Sequence, residues 1–520
     1  MRVRLSLVGP AVAAALVFTS TIAAAAFAIV RVSSNTPFTA GCTGQSVHSG
    51  TLYPNAEVEP YASVNPRNQD NIIGVWQQDR FSNGGARGLL TGFSRDGGKT
   101  WTRTFAHFSR CAGGNAANHG DYERASDPWV SFGPTGTAYQ VALSFDQDAT
   151  FNQAVLASRS GNGGATWSEP AVLQRDTLSD VGLDKESVTA DPKLPRFAYA
   201  VWDRLQGLDT CDPNTGLCDP KKFKGPTWFS RTTNGGATWE PARIIFDPGF
   251  NEQTIANQIV VLPNGDLVDI FDLVHDAALS STPLDVGIVR SSDRGLTWSA
   301  PIVISNLGTV FISDPKTNEP LRTGDILPDI AVDPESGALY VVWQDARFSG
   351  GKRDGIALSR SDNGGRTWST PKQINQATNT QAFTAAVRVN KEGTVAVTYY
   401  DFRNDNADPA VLLTNYWIVK SRDGGATWHE SGVAGPFDMR TAPVARGFFT
   451  GDYEGMTTEL MPFVVLANSG NLSNRTDVFA ALAAEDNNDT TGNDRQESGG
   501  GSPNTRQRIN AHREVHADRG

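Results

Sequence analysis

The chain has 520 residues, with 45 Lys+Arg against 56 Asp+Glu and a net charge of −11. No basic surplus is available to gather nucleic acid or anionic lipid by charge. The seven histidines are scattered, with no His/Cys cluster at zinc spacing and no His-Glu-x-x-His, and no glycine-rich phosphate loop opens a helix. Length alone sets no domain count, so the repeats must.

The N-terminus carries Arg2 and Arg4, then an uncharged stretch over 5–30 with the small-residue run at 23–26. That outline fits a signal peptide over 1–28; its length also allows an uncleaved membrane anchor. Either reading exports the rest of the chain, secreted or anchored by this segment alone. Residues 29–34, IVRVSS, read as a strand.

A unit then recurs six times. Strands A and B, joined by a short Pro/Gly/Asp/Asn turn, precede a third strand that runs into an octapeptide, and a fourth strand leaves it. The A strands begin near Glu59, Asp127, Glu186, Asn257, Asp329 and Phe383. The octapeptides are SRDGGKTW (94–101), SGNGGATW (160–167), TTNGGATW (232–239), SSDRGLTW (291–298), SDNGGRTW (361–368) and SRDGGATW (421–428). Ser/Thr and Asp/Asn side chains capture nearby backbone N–H groups, and glycine permits positive φ, so each octapeptide describes a self-capped turn between antiparallel strands. Its Trp can bury a large apolar face.

After the sixth octapeptide, 451–457, 462–466 and 477–482 read as A, B and C of a seventh unit lacking a turn and a fourth strand. Residues 29–34 would supply that strand and close a ring of seven, favoured over a ring of six with a C-terminal appendage. From 483 to 520 almost nothing apolar remains to bury, which predicts a disordered polar tail. Four cysteines in an exported chain admit three pairings. Cys211 and Cys218 close a short loop, leaving Cys42 to bridge to Cys111.

The octapeptide resembles the Asp box, or BNR repeat, of sialidases and related β-propellers, over about 29–482. The resemblance implies an all-β propeller of four-stranded antiparallel blades with the boxes on the C–D turns. Function is expected on the opposite face, where the long connections run. At that rim B strands end in Gln78-Asp79-Arg80, Trp202-Asp203-Arg204, Gln344-Asp345-Ala346-Arg347 and Tyr400-Asp401-Phe402-Arg403. Glu59, Glu123, Arg124, Asp127, Lys185, Glu186, Asp325, Asp329, Asp452, Tyr453 and Glu454 stand near the A-strand starts. The repeated Asp-x-Arg pattern also suits ion pairs between blades.

Sialidase resemblance implies an exo-α-sialidase type of glycoside hydrolysis without a cofactor. Arginines would clamp the sugar carboxylate, drawn from Arg80, Arg124, Arg204, Arg347 and Arg403 with Glu59 beside them. Tyr453, assisted by Glu454 or Glu186, would be the nucleophile, and Asp127 the acid/base. The Phe/Tyr-Arg-Ile-Pro stretch of sialidases has no counterpart at 55–66, NAEVEPYASVNP, so these roles rest on placement. The partner implied is a glycan, met by a monomer; a non-catalytic propeller binding glycan or protein is the competing class. Asp212, Asn214 and Asp219 are oxygen donors that would suit Ca²⁺ in the loop of the second cysteine pair.

Overall fold

The computed structural model describes residues 27–44, 49–147, 151–212, 217–276, 284–468 and 470–483. The N-terminal segment up to residue 26, the tail beyond Ala483 and Asn214 of the calcium candidate lie outside them. Among the described residues no helix is long and apolar enough to cross a membrane.

The described residues form four-stranded antiparallel sheets in chain order. The first holds Glu57–Asn65, Asn68–Arg80, Ala86–Ser94 and Thr102–Thr104. The second, joined to it by the single pair Ala86–Ala125, begins with Arg124–Phe132. Later sheets begin with Val181–Ala190, Gln253–Val261, Asp329–Val332 and Ala382–Val389. The last combines Gly455–Met456, Pro462–Ala467 and Thr476–Ala483 with Phe27–Arg31 from the other end of the chain. This strand starts two residues before the expected 29–34, pairing Phe27 with Ala483 and Ile29 with Ala481. Phe27 and Ile29 pack on the core shared by the last two sheets, which gives the earlier start its apolar anchor. First strands touch in succession, and the last touches that of the first sheet.

The six octapeptides lie between third and fourth strands and close identically. The first residue's hydroxyl accepts the N–H of the fifth at 2.8–2.9 Å. The third residue's carboxylate or amide oxygen accepts the N–H of the seventh at 2.8–3.0 Å. Each fifth-position glycine has positive φ, from 77° at Gly236 to 92° at Gly164. That glycine also meets the preceding sheet: a Cβ at Gly295 would lie 2.6 Å from Phe229, and one at Gly365 2.7 Å from Ile288. The first turn docks on the last sheet, where a Cβ at Gly98 would lie 3.0 Å from Leu482. The octapeptide thus joins sheet to sheet as well as strand to strand.

Core clusters fill the spaces between neighbouring sheets, with Trp76, Trp202 and Trp343 fully buried on second strands. The octapeptide Trp368 is only half-buried against one such cluster and donates from Nε1 to Gly365 O at 3.1 Å. Trp368→Ala is therefore expected to cost about 2 kcal/mol, below the range for a fully buried Trp. Chemical denaturation of the purified variant checks this, and a loss under 0.5 kcal/mol would deny the turn its structural role.

Cys42 pairs with Cys111 and Cys211 with Cys218. Both disulfides fit an oxidising compartment.

Candidate functional site

Five first strands carry the same irregularity. Their register with the second strand skips two residues: Glu59-Pro60, Asp127-Pro128, Lys185-Glu186, Ala256-Asn257 and Thr384-Ala385. The first residue of each pair has positive φ, between 49° and 65°, which a non-glycine residue holds only when its surroundings enforce it. Such bulges re-aim side chains away from the ladder. In the first sheet the bulge lies between the pairs Val58–Gln77 and Tyr61–Val75, whereas the octapeptide begins opposite Ile72. The two features therefore sit at opposite ends of the strands.

Four of the five re-aimed pairs contribute to the lining of one cavity; Glu59-Pro60 does not. Asp127, Lys185 and Glu186 line it with Tyr453 and Asp452; Ala256 and Thr384 occupy the equivalent bulge positions. The charged side chains on the lining thus come from the second and third sheets, from the fifth at Asp329 and from the segment entering the last at Asp452 and Glu454, and the small Ala256, Gly324, Thr384 and Ala385 stand between them.

Lys185 Nζ sits 2.9 Å from Asp127 Oδ1, 2.8 Å from Asp452 Oδ2 and 3.4 Å from Glu59 Oε1. Those acids hold the ammonium well above its usual pKa against the effect of burial. Arg322 donates through Nε to Asp452 at 2.8 Å and also through Nη2. Burial opposes ionisation of Asp452, but Lys185 and Arg322 prevail and depress its pKa. Glu59 is buried more deeply and rises to about 7, burial outweighing Lys185. Gln77 ties Glu59 to Arg80, whose Nη1 reaches Gln77 Oε1 at 2.6 Å.

Glu186 differs from its neighbours. It is 2 % exposed, and neither carboxylate oxygen has a hydrogen-bond partner. Burial first, then the nearby Asp127, pushes its pKa well above the ordinary carboxylate range; the backbone amides of Glu186 and Leu143 lie near enough to oppose this, without forming hydrogen bonds to it. Two carboxyl groups on one cavity thus stand in opposed settings, Asp127 ion-paired with Lys185 and Glu186 unpartnered.

Tyr453 is half-buried on the same lining and donates to Pro128 O at 3.4 Å. Burial, then Glu59, Asp127 and Glu186, raises its phenol well above 10. Glu454 is also on the lining, but its carboxylate is tied between the last two sheets, accepting from Tyr400 Oη at 2.7 Å and Val465 N at 3.0 Å.

Among the expected clamp arginines, only Arg80 faces this cluster, feeling Glu59, Asp452 and Asp127. Arg124 is fully buried over the Phe81 ring and bonded to Glu123, Asn83 and Gly84 O. Arg204 grips Asp176 with two bonds of 2.9 and 2.7 Å. Arg347 returns to Asp345 at 2.7 Å, and Arg403 stacks 3.7 Å from Trp417 while bridging Asp401 and Glu430. All four are held by carboxylates: Arg204 pairs across to the preceding sheet, as expected of ion pairs between blades, whereas Arg347 and Arg403 pair within their own sheets and Arg124 with its chain neighbour. They do not line the cavity.

Sequence reasoning left out Arg322 and gave Lys185 no role. Arg322 lies in the long connection after the fourth sheet, where no repeat marks it. Its short strand, Leu321–Arg322, pairs with Phe448–Phe449 from another connection, and that pairing brings it to Asp452. A usable signal was the acid before proline at equivalent positions, Glu59-Pro60 and Asp127-Pro128. Among the described residues no group of three His, Cys, Asp or Glu side chains is arranged to hold a metal ion.

Residues 227–433 match the BNR repeat-like domain family. The sialidase of Micromonospora viridifaciens is 26% identical over 304 residues, 56% of this chain and 43% of that protein. Xyloglucanase Xgh74A of Acetivibrio thermocellus is 27% identical over 237 residues, 41% of this chain and 24% of that protein. The chain thus spans less than half the length of these curated relatives. Among solved structures, the Hadza microbial sialidase Hz136 aligns with a TM-score of 0.44 at 16% identity, covering 79% of this chain and 73% of that one. The α-L-arabinanase of Penicillium chrysogenum gives 0.44 at 14% identity, covering 71% and 92%.

Proposed function

We propose, from a chain of the sialidase-like BNR-repeat superfamily, that this protein is an exported glycoside hydrolase working in the cavity of the bulged first strands. Its sheets are read as the blades of a seven-bladed propeller closed by the N-terminal strand, with Asp boxes on the far face. The observation that carries the reading is the pair Glu186 and Asp127, two carboxyl groups on one cavity, the first buried without a partner and the second ion-paired with Lys185. Such a division is what glycosidic cleavage needs. Glu186, kept protonated by burial, donates to the glycosidic oxygen. Asp127, fixed by Lys185, faces the positive charge that develops at the anomeric carbon, where a water adds and returns a proton to Glu186.

A neutral sugar suits this lining better than an acidic one. Arg124, Arg204, Arg347 and Arg403 are occupied elsewhere, and Lys185 and Arg322 already neutralise Asp452. The names of the curated relatives support a glycan partner. The narrower exo-sialidase reading draws on the sialidase relative and on Tyr453 standing among acids in the cavity.

The test is a panel of aryl glycosides of neutral sugars together with an α-sialoside. Release from a neutral glycoside, with Tyr453→Phe keeping at least a tenth of the rate, is the expected result. Release from the sialoside alone, abolished by Tyr453→Phe, transfers the assignment to the sialidase type. Saturable glycan binding without any release replaces the enzyme by a binding module.

A further inference from the structure

Resting on that reading of the cavity, we propose that Phe311 is the stacking platform of a second sugar subsite, which receives the next unit of an oligosaccharide whose reacting unit occupies the inner cavity. The inner cavity adjoins a second hollow, a vestibule, and the two share Lys185, Gly324, Leu327 and Asp452. Phe311, Ile326 and Leu327 give the vestibule apolar surface; Asp184 and Arg322 give it polar groups. An aromatic face with a few convergent polar groups is the general make-up of a small-molecule site.

Two features mark Phe311. The residue is 64% exposed, which forfeits the stabilisation that burying an aromatic would bring. Its backbone also holds φ at 53°, a region costly for a bulky residue. The loop fixes this geometry from both sides. Thr309 Oγ1 donates to Asp354 at 2.6 Å and accepts from Phe311 N at 3.1 Å, while Ile312 N donates to Asp325 at 3.2 Å and Ile312 O accepts from Leu321 N at 2.9 Å. A loop with that many ties holds its strained residue exposed, on the lining of the vestibule.

Calorimetric titration with cellotetraose and with xyloglucan heptasaccharide, each compared with glucose, tests the subsite in the Glu186→Gln background, which prevents turnover. The oligosaccharide is expected to bind at least tenfold tighter than glucose. Phe311→Ala should bring that ratio close to one, and Phe311→Trp should keep it, with equal melting temperatures showing that the fold is intact. A ratio untouched by Phe311→Ala, or no binding of either oligosaccharide before the Phe311 change, overturns the subsite. Absence of hydrolysis by the wild type with the binding ratio and its Phe311 dependence preserved overturns only the enzyme reading.

Discussion

Glu186→Gln is expected to lower kcat by about 10²–10⁴-fold on a neutral glycoside with a poor leaving group, the range a positioned general acid contributes. The amide preserves shape but has no acidic proton to give. The loss should shrink for an aryl glycoside whose phenolate leaves without protonation. Asp127→Asn should lower both substrates alike, because the charge opposite the anomeric carbon serves every leaving group. Steady-state kinetics on two leaving groups separates these patterns. Equal small losses in Glu186→Gln on both would remove it from the acid role.

Lys185→Met should be the most destabilising single change at the site, about 3–5 kcal/mol near pH 8, since deleting one partner strands buried charge. Asp452 retains Arg322, but Glu59 and Asp127 lose the cation within 3.4 Å of each. The pH dependence has a definite sign. Glu59 titrates at about 7 in the fold against 4.5 for the free group, so the stability it contributes is full below about 4.5 and is lost as pH rises through about 7. Lys185 is the largest influence holding that value down, so its removal shifts the loss to higher pH and enlarges it. Protonation of Glu59 relieves the stranded charge, and the penalty of Lys185→Met should be smaller at pH 5 than at pH 8. Urea denaturation at both pH values measures it; a penalty larger at pH 5 would mean that the ammonium does not compensate the carboxylates.

Legible in the sequence were the pairing of the two chain ends, from a surplus of three strands at one and an orphan strand at the other, and the strand pattern with its six capped turns. That pattern follows from local chemistry: a hydroxyl, an Asp or Asn oxygen and a glycine within eight residues suffice to close a turn, and alternation suffices to mark a strand. The sequence also brought Asp127, Glu186 and Tyr453 to notice as residues the repeat did not demand. Tertiary structure decided which charges meet. Arg204 and Arg403 look the same as Arg80 in sequence, each two residues or fewer past an acid at a strand end, yet Arg204 and Arg403 turn to Asp176 and to Asp401 with Glu430 while Arg80 turns inward through Gln77. The choice depends on which partner lies across a strand or in another connection, and so on distances along the chain that no local pattern encodes. The two-residue bulges were equally hidden: an extra pair in a first strand leaves alternation intact on either side, and only pairing with the second strand reveals that Asp127, Lys185 and Glu186 have been turned from the ladder into the cavity.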